Sequence, residues 1–306
     1  MRRGLPAGRQ AGGRVDENMT LLNETINLSH LYGVKPTKNR GQNFLIDESV
    51  YEKIVEAAKI NSDEIILEVG PGLGFLTKLL AKKSKKIIAV ELDKKLAEAL
   101  ENRLTLEEVT NVEIFNEDIM NFSNHWVKSL EKISNDKIIV VANLPYTITS
   151  IFLRHFVGGN IKNIMPARFV LMLQKEVAER IIARPGKMSI LALSIQLYAT
   201  PKIVHLVSKK SFWPIPKVDS AIVSLERNDQ WLKILEEQKG SEEGLLRLIK
   251  IGFSSRRKML KANLSAGYKL PVDKILEQFV LANVSPMARP QELSLDQWLK
   301  LLPLFY

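Results

Sequence analysis

Residues 64–80, EIILEVGPGLGFLTKLL, run from a strand pattern through three spaced glycines into a helix pattern. Gly70, Gly72 and Gly74 let the backbone come close to a ligand and adopt conformations closed to other residues. The spacing is G-x-G-x-G, not the G-x-G-x-x-G of dinucleotide sites, which argues against pyrophosphate binding.

On either side of this unit the pattern alternates. VYEKIVEAAKI (50–60) has helical period, KIIAVEL (86–92) reads as a strand, KKLAEALENRL (94–104) as a helix and VEIFNED (112–118) as a strand. A helix is expected over 124–134, and the apolar run IIVVANLPY (138–146) is a fourth strand. TSIFLRHFV, ARFVLMLQ and KEVAERIIA continue as helix, strand and helix, before a β-rich end in KIVHLVS and DSAIVSLE. Strands alternating with helices predict an α/β fold with a parallel, doubly wound, Rossmann-like sheet over residues 35–227. After Arg227 the β signal stops, and 228–306 reads as a small all-α C-terminal domain. Ser294 and Gln297 match a capping box that starts its last helix. Residues 1–34 are expected to form a disordered extension, because the opening MRRGLPAGRQAGGR is Gly/Arg-rich and aperiodic. It also lacks the apolar core of a secretory signal.

The 306 residues suffice for one large domain or two moderate ones. No apolar run approaches membrane-span length, so a soluble, cytoplasmic protein with no membrane partner is expected. The absence of cysteine excludes disulfides, thiolate chemistry and cysteine-ligated zinc. His30, His125, His155 and His205 are scattered, and no metal site is expected. The net charge is +10; residues 1–34 carry four arginines against three acids, net +1, which leaves +9 on the body. That excess suits a polyanion, with nucleic acid the first candidate, although a merely soluble basic protein has the same balance.

Open α/β sheets bind ligands at the carboxyl ends of their strands. Glu91 ends the strand after the glycine turn, 21 residues past Gly70, where an acid accepts both hydroxyls of a ribose. Asp118 ends the next strand and, as an ionised acceptor, suits an adenine amine. A single acid at a strand end is usually structural or solvated. Three such features on successive strands point to an adenosine cofactor without pyrophosphate, which S-adenosylmethionine satisfies.

The fourth strand ends in Asn143, Leu144, Pro145 and Tyr146. Pro145 cannot extend the ladder, so a side-chain amide, a carbonyl and a ring gather at the sheet edge. Four such residues also fit an ordinary strand end and turn. With a methyl donor next to them, they suit an amino-bearing base. Two acceptors on the amine would draw its nitrogen toward tetrahedral geometry and aim the lone pair at the methyl, with no general base needed. Tyr146 would stack on a base taken out of its neighbours.

The chain resembles the ribosomal RNA adenine dimethyltransferase family from about residue 35 to the end. The matching segments are GQNFLID (41–47), EVGPGLGFLT (68–77), VELD (90–93), NED (116–118), NLPY (143–146), FWPIPKVDSAIV (212–223) and GFSSRRKMLKANL (252–264). The resemblance implies a Rossmann-like S-adenosylmethionine-dependent methyltransferase sheet that converts two adjacent adenosines near the 3′ end of small-subunit rRNA to N6,N6-dimethyladenosine. It also implies that Asn43 and Leu45 line the cofactor with Gly70, Gly72, Glu91, Asp118 and Asn143, and that Phe212 is a second wall for the target base. On residue type alone, Phe44 reads as core, Asn43 as a helix start and Phe212 as a packed loop aromatic.

In LLRLIKIGFSSRRKMLKANL (245–264), a single helix would put Lys250, Arg257 and Lys261 on one face, with Arg247 and Lys258 nearby. Such a run also suits a plain solvated face, but the overall charge and implied substrate favour RNA phosphates. The expected partner is small-subunit rRNA or the pre-ribosomal small subunit, bound by a monomer during ribosome biogenesis. Two rivals remain: an antibiotic-resistance type of large-subunit rRNA adenine methyltransferase, which shares the sheet motifs, and a non-catalytic RNA-binding ribosome-assembly factor. RPQELSLDQW (289–298) and FWPIPKVDSAIV look more like the small-subunit dimethyltransferases than the antibiotic-resistance type.

Overall fold

The computed structural model describes residues 20–36, 42–121, 125–131, 133–145, 148–157, 164–255 and 257–305. Helix α1 (Leu21–Leu31) comes first, then the two-residue strand β1 (Phe44–Leu45), α2 (Glu48–Ala58) and β2 (Ile65–Val69). The alternation continues through α3 (Phe75–Ala81), β3 (Lys86–Val90), α4 (Lys94–Leu106), β4 (Val112–Phe115), α5 (His125–Leu130) and β5 (Ile138–Asn143). After α6 (Thr149–Phe152) and a π-helical turn come β6 (Arg168–Gln174), α7 (Lys175–Ile181), α8 (Ile190–Gln196), β7 (Ala199–Val207), β8 (Phe212–Trp213) and β9 (Ser220–Arg227). The chain ends in α9 (Gln230–Glu237), α10 (Glu242–Gly252), α11 (Leu260–Tyr268), α12 (Val272–Leu281) and α13 (Leu295–Leu301).

Among the described residues the main sheet has seven strands in the order β4-β3-β2-β5-β6-β9-β7. The first five are parallel, as the strand–helix alternation predicts. β9 and β7, from the β-rich end, are antiparallel to their neighbours, so the expected parallel sheet carries two antiparallel strands at one edge. β7 and β9 are joined by 208–219, whose only regular pieces are a 3-10 turn and the two-residue β8, with no helix to carry a parallel crossover. α8, over ILALSIQ, was absent from the sequence reading; Ser189 caps it by accepting from Ala192 N.

β2, β3 and β5 are apolar because helices cover both faces of the sheet. One face packs Ile66, Ile87, Ala89, Ile139 and Val141 against α2, α3 and α4. The other packs Leu67, Ile88, Val90 and Val140 into a core that continues into Trp298, Phe279, Leu248 and Leu264 of the C-terminal helices. α2 starts where Asp47 accepts from Ser49 N, and buries Val50, Tyr51, Ile54, Val55, Ala57 and Ala58.

Two further expectations need correction. The extension expected to be disordered runs to residue 34, yet 21–31 form α1, with Leu21, Thr25 and Ser29 buried and Thr20 accepting from Asn23 N; residues 1–19 lie outside the described residues. The basic residues of 245–264 do not share one helical face. Arg247 and Lys250 are on α10, Arg257 and Lys258 in the following turn, and Lys261 in the first turn of α11. α10 stops at Gly252, where a β-carbon would overlap Trp298. The buried Asn263 side chain then donates to both Gly252 O and Ser255 O, taking over carbonyls the broken helix leaves open.

Asn263→Ala leaves those two carbonyls without their side-chain donor. The expected loss is about 2 kcal/mol of unfolding free energy, read from urea denaturation.

Candidate active site

The register of the parallel strands assembles the site. Val69 lies opposite both Val90 and Ala142, so the next residues, Gly70 after β2, Glu91 after β3 and Asn143 ending β5, sit side by side. Gly70 N donates to Val90 O at 3.0 Å, and Glu91 N to Phe115 O at 2.9 Å. Two glycines are required by geometry here. Gly70 has φ +69° with Asn143 O 3.8 Å from where its β-carbon would be; Gly72 has φ +59° and would meet the Phe44 ring at 3.6 Å.

A strap crosses the open end of this edge. β1 pairs antiparallel with β8, Phe44 opposite Trp213 and Leu45 opposite Phe212. Ile46 N donates to Ser211 O at 2.9 Å, and Ser211 Oγ donates to Asp47 at 2.8 Å. The Tyr51 hydroxyl donates to Leu45 O at 2.9 Å, and the Phe44 and Trp213 rings stack at 6.4 Å. Phe44 therefore belongs to a short strand, and the start of α2 is capped by Asp47 rather than Asn43.

Under the strap lies a cavity walled by Asn43, Leu45, Gly70, Gly72, Glu91, Asn143, Leu144, Pro145 and Phe212, nine of the positions anticipated from sequence. Asp118 is not among its walls. Asp118 is exposed at the end of β4, with one carboxylate oxygen accepting from Met120 N at 2.9 Å. Tyr146 lies outside the described residues. Among the described residues, no group of three or more His, Cys, Asp or Glu could hold a metal ion, and no helix is long and apolar enough to cross a membrane.

Three carboxylates line the cavity, Glu68, Glu91 and Asp93, the last of which caps α4 by accepting from Lys95 N. Glu91 is buried, its oxygens accepting from Gly72 N at 3.1 Å and Asp93 N at 2.9 Å; burial raises its pKa despite those bonds. Glu68, within β2, is only 1% exposed, and its Oε2 has no hydrogen-bond partner among the described residues. Burial, assisted by the negative charge of Glu91, pushes the Glu68 carboxyl up to about 8. A buried acid with an unused acceptor, facing a cleft, is suited to a cationic or hydrogen-donating ligand. Glu68, Tyr51 and Phe75 are cavity walls that the sequence reading missed. The signal for Glu68 was present: a charge inside an otherwise apolar buried-strand pattern.

The residues present fit S-adenosylmethionine: a glycine edge open to close approach, a buried carboxylate at Glu91, and a second at Glu68 with one oxygen left without a partner among the described residues.

A family model for ribosomal RNA adenine dimethylase matches residues 34–304. The chain is 37% identical over 282 residues to ribosomal RNA small subunit methyltransferase A of Dehalococcoides mccartyi, covering 92% of each chain. It is also 37% identical to the protein of that name from Lysinibacillus sphaericus, covering 90% of this chain and 92% of the relative. Among solved structures it is similar to a dimethyladenosine transferase from Plasmodium falciparum, with a TM-score of 0.68, 27% identity, and coverage of 84% of this chain and 94% of the other. The 23S rRNA methyltransferase ErmE matches with a TM-score of 0.66 and 26% identity, over 86% of this chain and 99% of that one. With the fold, the cavity and a family match over nearly the whole length, the chain belongs to the ribosomal RNA adenine dimethylase family, enzymes that take their methyl groups from S-adenosylmethionine.

Proposed function

We propose that this rRNA adenine dimethylase acts on small-subunit rRNA, methylating the N6 amines of two adjacent adenosines near its 3′ end during ribosome biogenesis. The observation that carries the site assignment is the register that sets Asn143 beside Gly70 and Glu91 on one sheet edge. The small-subunit assignment draws on relatives that bear that name at 37% identity over 92% of their length. The likeness to ErmE is the ground for the rival large-subunit substrate.

In this reading Glu91 accepts from the ribose hydroxyls, giving up its bond to Gly72 N, and Glu68 faces the methionine ammonium. Asn43 and Leu45 cover the cofactor from the strap. Asp118, outside the cavity wall, would reach the adenine amine only from the rim. Bound S-adenosylmethionine supplies an electrophilic methyl on a sulfonium.

The target adenine stacks on Phe212, and Tyr146 is assigned a stacking role from the sequence alone. The Asn143 amide oxygen and the Leu144 carbonyl accept the two N6 hydrogens, and Pro145 fixes the direction of that carbonyl. Holding both hydrogens reduces delocalisation of the nitrogen lone pair into the ring and points it at the methyl carbon. The N–C bond forms as the S–C bond breaks, and the nitrogen's extra proton is held by these acceptors until it passes to water. Residues 228–306 would then serve RNA recognition, with Arg247, Lys250, Arg257, Lys258 and Lys261 as phosphate contacts. With that basic surface on two helices and the turn between them, it would follow a bent backbone rather than a straight groove.

Incubation of undermethylated small subunits and, separately, large subunits with the protein and S-adenosylmethionine, followed by mass spectrometry of nucleosides, should yield N6,N6-dimethyladenosine on the small subunit. Product on large-subunit rRNA alone would favour the rival substrate. Asn143→Ala should lower turnover on the order of 100- to 1000-fold at saturating cofactor, with RNA affinity kept.

Reversing the charge of Arg257 and Lys261 together should weaken subunit binding and flatten its salt dependence, measured by filter binding across a salt series, with cofactor affinity unchanged.

Glu68 gives a pH test. Its folded-state pKa of about 8 lies above the ordinary 4.5, so the folded protein holds the proton more tightly. Stability of the cofactor-free protein should therefore fall as pH rises from about 4.5 to about 8. Glu68→Gln should flatten that slope in thermal melts. Binding a cationic methionine end near pH 7 should release a proton from Glu68, seen in calorimetry as an enthalpy that varies with the buffer's ionisation heat. A wild-type enthalpy independent of buffer would remove Glu68 from the methionine subsite.

A further inference from the structure

α1 takes no part in the chemistry above, yet it is fastened to the back of the cofactor cavity through a single buried cation. Arg103, in the last turn of α4, is 6% exposed. A buried guanidinium is tolerated only where its donors are satisfied. Here its Nη1 donates to Leu73 O, and its Nη2 pairs with Glu24 of α1 at 3.0 Å. Glu107 stands 3.9 Å from the same nitrogen, and the guanidinium lies 4.5 Å from the centre of the Phe75 ring.

Leu73 and Phe75 are both walls of the cavity, one on each side of Gly74. Gly74 is held at φ +83°, with its N–H on Pro71 O. Arg103 thus grips the glycine turn on both sides of its last glycine, from the face away from the ligand. α1 adds a second hold: Leu28 and the adjoining Tyr32 pack with Val34, Leu96, Phe44 and Leu73, the last two again cavity walls. Lys95 of α4 closes the arrangement by donating to Gly33 O at 2.9 Å.

We propose that Glu24 and Arg103 brace the glycine turn, so that Arg103 is a positioning residue for S-adenosylmethionine and α1 is a working part of the methyl-donor site. This rests on the assignment of the cavity to the cofactor. The guanidinium fork matters because one planar group must reach the Leu73 carbonyl and the Glu24 carboxylate while lying over a ring. A lysine ammonium has neither that planarity nor that reach in two directions. Without the brace, the turn samples conformations in which Leu73 and Phe75 no longer shape the wall, and the cost appears in cofactor binding rather than in the chemical step.

The test is calorimetric titration of S-adenosylmethionine into wild type, Glu24→Ala, Glu24→Gln and Arg103→Lys, with Glu91→Ala as a control on the cavity and melting temperatures in parallel. Glu24→Ala should weaken binding about threefold to fivefold and Arg103→Lys about tenfold, in proportion to partners lost. Glu24→Gln, which retains an acceptor for Arg103, should recover most of the loss. In kinetics the KM for cofactor should rise while kcat at saturation holds. Wild-type affinity in Glu24→Ala, with only a lower melting temperature, would make α1 a stabilising helix and overturn the proposal. Should Arg103→Lys fail to fold, the half-exposed Glu24 still decides. If Glu91→Ala also binds as wild type, the assignment of the cavity fails, and not the brace alone.

Discussion

The register of β2 between β3 and β5 is the constraint on which the rest depends. Val69 faces Val90 on one side and Ala142 on the other, so three chains leave the sheet at one level. A slip of one residue in either pairing would turn the strand's side chains to the opposite face. It would exchange Glu68 for an apolar neighbour at the cavity and move Asn143 away from Gly70. The register is secured by the two cores, since Ile66 belongs to one face and Leu67 to the other.

That security carries a tension. The strand that anchors the site also carries an acid through the middle of the fold, and its carboxyl is held neutral well into the physiological range. The Gly72 amide meanwhile occupies a Glu91 oxygen. The free protein therefore satisfies Glu91 internally and leaves one oxygen of Glu68 without a partner among the described residues. Under the proposed cofactor assignment, a ligand with hydroxyls and a cation would meet both, coupling binding to proton release.

Local features were legible in the sequence, and features that join distant segments were not. The strand at 65–69, the glycine turn and the Ser294–Gln297 capping box each depend on neighbours within a few residues, and each is present. The strap was invisible because Phe44 finds its partner at Trp213, and two-residue strands have no periodicity to read. α1 was hidden by the aperiodic stretch before it and by its reliance on Arg103, 79 positions away from Glu24. The basic segment read as one helix because the contacts at its break, Trp298 against Gly252 and Asn263 on the Gly252 and Ser255 carbonyls, come from later in the chain. Asp118 fitted the pattern of acids at strand ends but is turned to its own loop, a choice made by Met120 N.

The strap also bears on how the protein is made. Its pairing joins positions 164 residues apart at Asp47 and Ser211, which places it among the least local contacts in the fold. Closing so long a loop is an entropic cost that local contacts do not repay, and non-local pairings form late. On a translating ribosome the glycine turn and its parallel strands can collapse while the later half is still being synthesised. The cavity gains its Phe212 side only once that segment has emerged. A nascent chain that stops short of Phe212 therefore lacks one wall of the cavity, however far its parallel strands have formed.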